Sequence, residues 1–232
     1  MMYKADIIDY LTSVLALVSK TIVIKSTATP SAGVQTITVD DVKWTQPYSV
    51  VTIGGNQYTV TSIVGCVITL AGDDAIIVTS FDLPNVFFFH GTVKETNITL
   101  TTKQFDTEKT PMIYLLEIFT ETFNDDTESA IERTSSLRLF FLTGADFEAW
   151  EIDDFYTNSI KPMQRLCQHF VDTLNAQPRV EDITEYDITN LSRFGVYVNN
   201  KGFESSLFED KLSGVELAIT LQLRNDWSCS DC

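Results

Sequence analysis

Residues 153–175, DDFYTNSIKPMQRLCQHFVDTLN, constrain the fold more than any other stretch of the chain. Their apolar members are Phe155, Tyr156, Ile160, Met163, Leu166, Cys167, Phe170, Val171 and Leu174. The steps are threes and fours. One face of a helix is therefore continuously apolar, while the other carries Asp, Asn, Lys, Gln and Arg. Segments rich in β-branched and aromatic residues flank the stretch on both sides. A helix with one apolar face among strands buries that face by lying across a sheet. Pro162 falls inside the pattern, so it kinks the helix or marks where the regular part starts.

The flanking segments supply the sheet. Residues 111–123, PMIYLLEIFTETF, begin as an apolar run and end alternating. A polar loop follows, and then SLRLFFL at residues 136–142. These two segments are expected to pair antiparallel across the loop. After the helix, residues 186–194 and 196–198 form a third strand region, bent at Gly195. Residues 199–214 form a loop anchored by Phe203, Leu207, Phe208 and Leu212. In VELAITLQLR, Val215, Leu217, Ile219, Leu221 and Leu223 share one face of a last strand. The pattern predicts an α+β core over residues 101–226: a four-stranded, mostly antiparallel sheet with helices on one face.

The beginning of the chain has a different texture. Residues 3–20 read as a helix whose broad apolar face includes Ile7, Leu11 and Val14. Asp6 and Asp9 at its start and Lys20 at its end complement the helix dipole. This helix, within residues 1–20, packs on the core or on a neighbouring subunit. Residues 21–100 then show period-two patterning in six short segments separated by turn residues, with no helix of any length. Residues 49–53 and 57–63, joined through Gly54-Gly55-Asn56, read as a hairpin. The expectation is an inserted all-β domain, a small barrel or sandwich. Phe87, Phe88 and Phe89, near its end, are costly to leave in water, so they fill a junction or enter a neighbouring chain. Residues 227–232 form a flexible tail.

Charge and chemistry narrow the function classes. There are 32 Asp and Glu against 16 Lys and Arg, a formal net charge of −16. Gripping DNA phosphates needs clustered cations, and so does an anionic membrane surface. Neither is expected, and no apolar run reaches the ~18 residues of a membrane span. The opening MMYKADIIDY has the wrong charge order for a secretory leader, so the chain is expected to fold in a cytoplasm. Cys66 and Cys167 sit in apolar patterns and read as buried small hydrophobes. Cys229 and Cys232 form C-x-x-C without a second ligand pair, so neither a metal nor a cofactor is expected. Phosphate-loop and nucleophile-elbow motifs are absent. His90 and His169 stand alone and read as structural. Carboxylate pairs remain as enzyme candidates: Glu117 with Glu121 on a strand, or Asp125, Asp126 and Glu128 in the loop.

Taken together, TPMIYLLEIFTETFN, IERTSSLRLFFLTGADFEAW, DDFYTNSIKPMQRLCQHFVDTL, FGVYVNNKG and LSGVELAITLQLRN resemble virion proteins of tailed bacteriophages. FFFHGT ahead of them belongs to the same likeness. The order of elements is similar to phage tail-terminator and neck proteins. That resemblance implies a non-enzymatic structural role in the virion, assembled in the host cytoplasm. It also implies a homo-oligomeric ring of six or twelve copies between portal or connector and tail, with other neck, portal or tail proteins as partners. DNA would pass through an acidic channel without specific binding. Asp125, Asp126 and Glu128 would then face the channel or a neighbouring ring. Ile7, Leu11, Val14, Phe87, Phe88 and Phe89 are the expected subunit contacts. The alternatives are a carbohydrate- or protein-binding module with a platform built on Trp44, Tyr48 or Tyr58, and more distantly a carboxylate-pair hydrolase.

Overall fold

Residues 6–72, 74–103, 109–124 and 131–224 are described in this computed structural model. Helix α1 (Ile7–Leu17) begins at Asp6, whose side chain accepts the Ile8 N–H at 2.7 Å. The next strands are β1 (Thr21–Thr27), β2 (Val34–Val39), β3 (Val50–Ile53), β4 (Asn56–Val64), β5 (Val67–Ala71) and β6 (Ser80–Asp82). They form one antiparallel sheet in the order β3-β4-β5-β2-β1-β6. The end strands β3 and β6 approach each other, so the sheet rolls into a nearly closed barrel. Alternate residues fill its interior, among them Ile22, Ile37, Ile53, Val60, Ile68 and Leu70, all buried. The β3–β4 turn uses Gly54 and Gly55 at φ +61° and +89°, the left-handed pair that a two-residue hairpin loop requires.

A second sheet follows. Its first members are β7 (Phe87–Gly91), β8 (Met112–Leu116), β9 (Thr120–Phe123), β10 (Ile131–Gly144) and β11 (Asp187–Phe194). The short strands β12 (Val196–Val198) and β13 (Glu204–Ser206) form a separate hairpin, and β14 (Leu212–Arg224) returns to the sheet. The strand path is β11-β14-β10-β8-β7, with β9 pairing the first half of β10. The sheet thus has six strands rather than the expected four. Strand β7 adds parallel to β8, from Phe87 opposite Met112 to Gly91 opposite Leu116. The run at residues 111–123 is not one strand. It breaks after Leu116, with β8 on the later residues of β10 and β9 on the earlier ones.

The helices also depart from the expectation of a single covered face. Helix α2 (Val93–Thr102) lies inside the stretch read as helix-free. Thr92 caps it: the Thr92 N–H and hydroxyl donate to Glu95 Oε2 at 2.9 and 2.8 Å. Those bonds, the Thr92 N–H first, hold the Glu95 carboxyl below its usual range. Leu100 of α2 is buried with Phe89, Met112, Tyr114, Phe140, Leu142, Phe208 and Leu212 on one face of the second sheet. The opposite face presents Ile113, Leu115, Leu139, Phe141, Val215 and Leu217. Successive residues of β8, MIYLL, are all apolar, so covering one face alone would leave the other in water. Strand β7 and helix α2, at the end of the stretch 21–100 expected as an all-β domain, therefore belong with the second sheet.

The long helix is present in three parts. Helix α3 (Ile152–Phe155) runs into a π turn (Tyr156–Ile160) and then α4 (Lys161–Asn175). Pro162 has no N–H and would press on the carbonyl four residues back. The chain widens just before it, and Lys161 N–H reaches back five residues to Tyr156 O. Helix α4 lies against β10 and β14 and contacts α1. Met163, Leu166, Cys167, Phe170, Val171 and Leu174 are buried along its inner face.

The loop between β2 and β3 joins barrel to sheet. Lys43 Nζ donates to Ser19 O at 2.6 Å, at the end of α1. Thr143 Oγ1 of β10 donates to Gln46 Oε1 at 3.2 Å, and His169 Nε2 of α4 lies 3.0 Å from Asp41 Oδ2. Trp44 is buried between them, edge-on to His169. One apolar core runs through the barrel, α1, α4 and the inner face of the second sheet.

Two tyrosines give this packing a pH signature. Burial pushes the Tyr114 phenol above its ordinary value of 10.0, and its hydroxyl donates to Gly91 O at 3.0 Å. Burial likewise raises Tyr10. A raised folded-state value means the stability is complete below pH ~10 and is lost as pH rises through that value. Absorbance at 295 nm during alkaline titration is expected to show Tyr10 and Tyr114 ionising late, and Tyr114→Phe to remove one late component. Both titrating together with the exposed tyrosines would contradict this burial.

Candidate assembly surfaces

Gly195 ends β11 at φ +75°, a backbone conformation that favours glycine, and starts the β12–β13 hairpin. A Cβ at Gly195 would also meet Phe208 Cδ2 at 2.7 Å. The hairpin register runs from Val196 opposite Ser206 to Val198 opposite Glu204. Its tip is held by its own bonds: Asn199 Oδ1 accepts from the N–H of Lys201 at 2.9 Å and of Phe203 at 3.1 Å. Its base is anchored by Phe194 and Phe208, ring centroids 5.2 Å apart, packed in the α2-side cluster. Arg193 Nη1 lies 3.1 Å from Glu204 Oε2. Yet Val198 and Phe203 are each 67% exposed, and Tyr197 and Leu207 about half. The hairpin thus presents four large apolar side chains to water, more than scattered single exposures.

A complementary feature lies elsewhere. A cavity of about 630 Å³ opens between the end of α1, Trp44 and β7. Leu15, Leu17, Val18, Trp44, Phe87 and Phe88 give it a mostly apolar lining, and Lys20 is the one charged residue among those lining it. Leu17 is 59% exposed, and Phe87 and Phe88 are only partly covered. The hairpin leaves β11 and the cavity borders β7, the two ends of the five-strand path.

The expected contact residues divide. Ile7, Leu11 and Val14 are 2%, 0% and 1% exposed in the chain's own core, which corrects their reading as subunit contacts. Helix α1 packs on α4 of the same chain, so that face is already used. Phe89 is buried on the α2 side, whereas Phe87 and Phe88 reach the cavity. Asp125, Asp126 and Glu128 lie outside the described residues, as do Cys229 and Cys232. The β12–β13 hairpin extends into the expected loop at residues 199–214, and Phe203 and Leu207, expected as anchors, are exposed. Only Phe208 and Leu212 are buried. The signal was there in Asn-Asn-Lys-Gly between VYV and FESS, a turn between two strand-like runs.

The residues of the catalytic and binding alternatives take different surroundings. Glu117 follows β8 and faces His90, Nδ1 to Oε1 3.3 Å, whereas Glu121 on β9 lies 3.3 Å from Arg133 Nη1. The two carboxylates thus have different cationic or titratable partners. Trp44 and Tyr58 are both 3% exposed, so only Tyr48 of the proposed aromatic platform reaches solvent. Among the described residues no three His, Cys, Asp or Glu converge as a metal site, and no helix is long and apolar enough to cross a membrane.

Cys66, read as buried, is exposed in the turn between β4 and β5. Cys167 is buried on α4, where burial pushes its thiol up to about 12. In the native protein Cys66→Ser is expected to remove one fast-reacting thiol towards a disulfide reagent, and Cys167→Ser none. A Cys167 that reacts without denaturant would contradict the packing of α4. No protein-family model matches this chain, and neither a curated protein nor a solved structure matches it.

Proposed function

We propose that this chain is a structural virion protein of a tailed bacteriophage, forming a ring in the neck or tail as a tail terminator or head–tail joining component. Its role is mechanical and electrostatic, not catalytic. The observation that carries the reading is the presence of two separate apolar surfaces among the described residues, the exposed side chains of the β12–β13 hairpin and the cavity between α1 and β7. A subunit with two unlike apolar surfaces suits head-to-tail closure into a ring. The net charge of −16 suits the same role. An acidic channel wall repels the phosphate backbone, so DNA slides through without being held. Neighbouring portal, neck and tail proteins are the partners this reading implies.

Light scattering of the purified chain over a range of concentrations, with electron micrographs of the same samples, tests it. Closed rings of six or twelve copies are the expected result. A single-copy mass at every concentration, or open chains that never close, overturns the ring.

A further inference from the structure

We infer that residues 40–49, between β2 and β3, are a strap that opens as a unit ahead of global unfolding and draws Trp44 away from His169 of α4. The strap is a property of a single copy and stands whether or not the copies form a ring. Strain is the first observation. The segment contains two consecutive tight turns: Thr45 N–H donates to Val42 O at 3.0 Å, and Ser49 N–H to Gln46 O at 3.4 Å. Lys43, central in the first turn, has φ +45°, and Tyr48, which follows Pro47 in the second, has φ +65°. Both are left-handed positions that favour glycine, and neither residue is glycine. Each turn therefore holds strain that opening relieves. Ala32, at φ +52°, is the other such residue among the described ones, and it lies outside the strap, in the β1–β2 turn.

Unpaired polar atoms are the second observation. Trp44 Nε1, Thr45 Oγ1 and Gln46 Nε2 stand on three successive residues, and each is buried with no hydrogen-bond partner. Trp44 and Thr45 are 3% and 2% exposed. A polar atom that gives up its water without gaining a partner destabilises the closed state, and opening rehydrates all three. The third observation is how the strap is attached. It reaches α1, β10 and α4 through separate polar contacts: Lys43 to Ser19 O, Gln46 to Thr143, and Asp41 to His169. The Asp41–His169 pair is partly exposed and so contributes little. Burial of Val42 and Trp44 holds the strap closed. Strain and dry polar atoms in the same segment oppose that gain, which places the strap near the low end of local stability.

Native-state hydrogen exchange on the full chain tests the strap. The amide at position 45 reports the strap, and that of Leu139, on β10 between β8 and β14, reports global unfolding. In the unmodified protein, position 45 is expected to be at least about a hundredfold less protected than Leu139. Tyr48→Gly, at a position 70% exposed, is expected to raise protection at position 45 about threefold. Thr45→Val removes the unpaired hydroxyl at nearly constant shape and is expected to raise it about fivefold. Ala32→Gly relieves the same kind of strain outside the strap, so it is expected to change protection at Leu139 and leave position 45 as it was. Equal protection of the two amides in the unmodified protein overturns the inference. A change at position 45 that matches the change at Leu139 in Ala32→Gly does the same. So does a fall in protection at position 45 in either Tyr48→Gly or Thr45→Val.

Discussion

Gly214→Ala is expected to lower the melting temperature by on the order of 10 °C, from a loss of about 3 kcal/mol or more at about 2–4 °C per kcal/mol. Gly214 lies on β14, opposite Leu142 of β10. A Cβ placed there would stand 1.9 Å from Phe141 O, 3.0 Å from Phe141 C and 3.1 Å from Leu142 Cα. All three are backbone atoms. No rotamer change relieves the overlap, so one of the two strands must move away from the other. These strands pair from Ile131 opposite Arg224 to Gly144 opposite Leu212, and they carry the apolar surface on which α4 sits. Gly144→Ala, at the end of β10, is the control, because a Cβ there meets nothing within 4 Å. Thermal unfolding followed by circular dichroism decides the matter. Equal melting of the two variants would refute the close approach of β14 to β10.

Phe170→Ala should cost about 3–5 kcal/mol, the usual range for truncating a fully buried aromatic. Phe170 is 1% exposed, and its ring meets Phe141 edge to face at 5.7 Å. Removing it opens a void between α4 and the sheet that the paired strands cannot close. Denaturant titration gives the loss directly. The control is Gln168→Ala on the outer face of the same helix, expected to cost under about 1 kcal/mol. Similar midpoints for the two would mean that α4 is not the helix that covers the sheet.

Much of this architecture could be read from the residues because it is local. The apolar stripe of residues 153–175, the alternation of residues 215–223 and the Gly54-Gly55 hairpin each need only near neighbours in the chain. Pro162 also announced its effect, since the missing N–H and the ring clash act within one turn. Helix α2 was legible in principle from Thr92 and Glu95, a capping box. Its sequence VKETNITLTT is nonetheless poor in strong helix formers, and its helical state depends on burying Leu100. The hairpin was hidden for the opposite reason. Phe203 and Leu207 look like anchors in a one-dimensional pattern, which does not say whether an apolar residue finds a cover.

The sequence by itself determined that α4 must lie on a sheet, that β14 must bury one face, that most of residues 21–100 must form short antiparallel strands, and that the composition is strongly acidic. These follow from periodicity, turn chemistry and composition, which act over a few residues or over the whole chain. Only the tertiary structure decided that β7 joins β8 in parallel, that the inner face of α1 belongs to its own core, and that residues 196–206 form a hairpin with exposed apolar side chains. Those outcomes depend on which distant segments meet, such as Phe87 with Met112. Apolar surface gains the same free energy per unit area against any cover. Shape and connectivity, and not the local pattern, choose the cover.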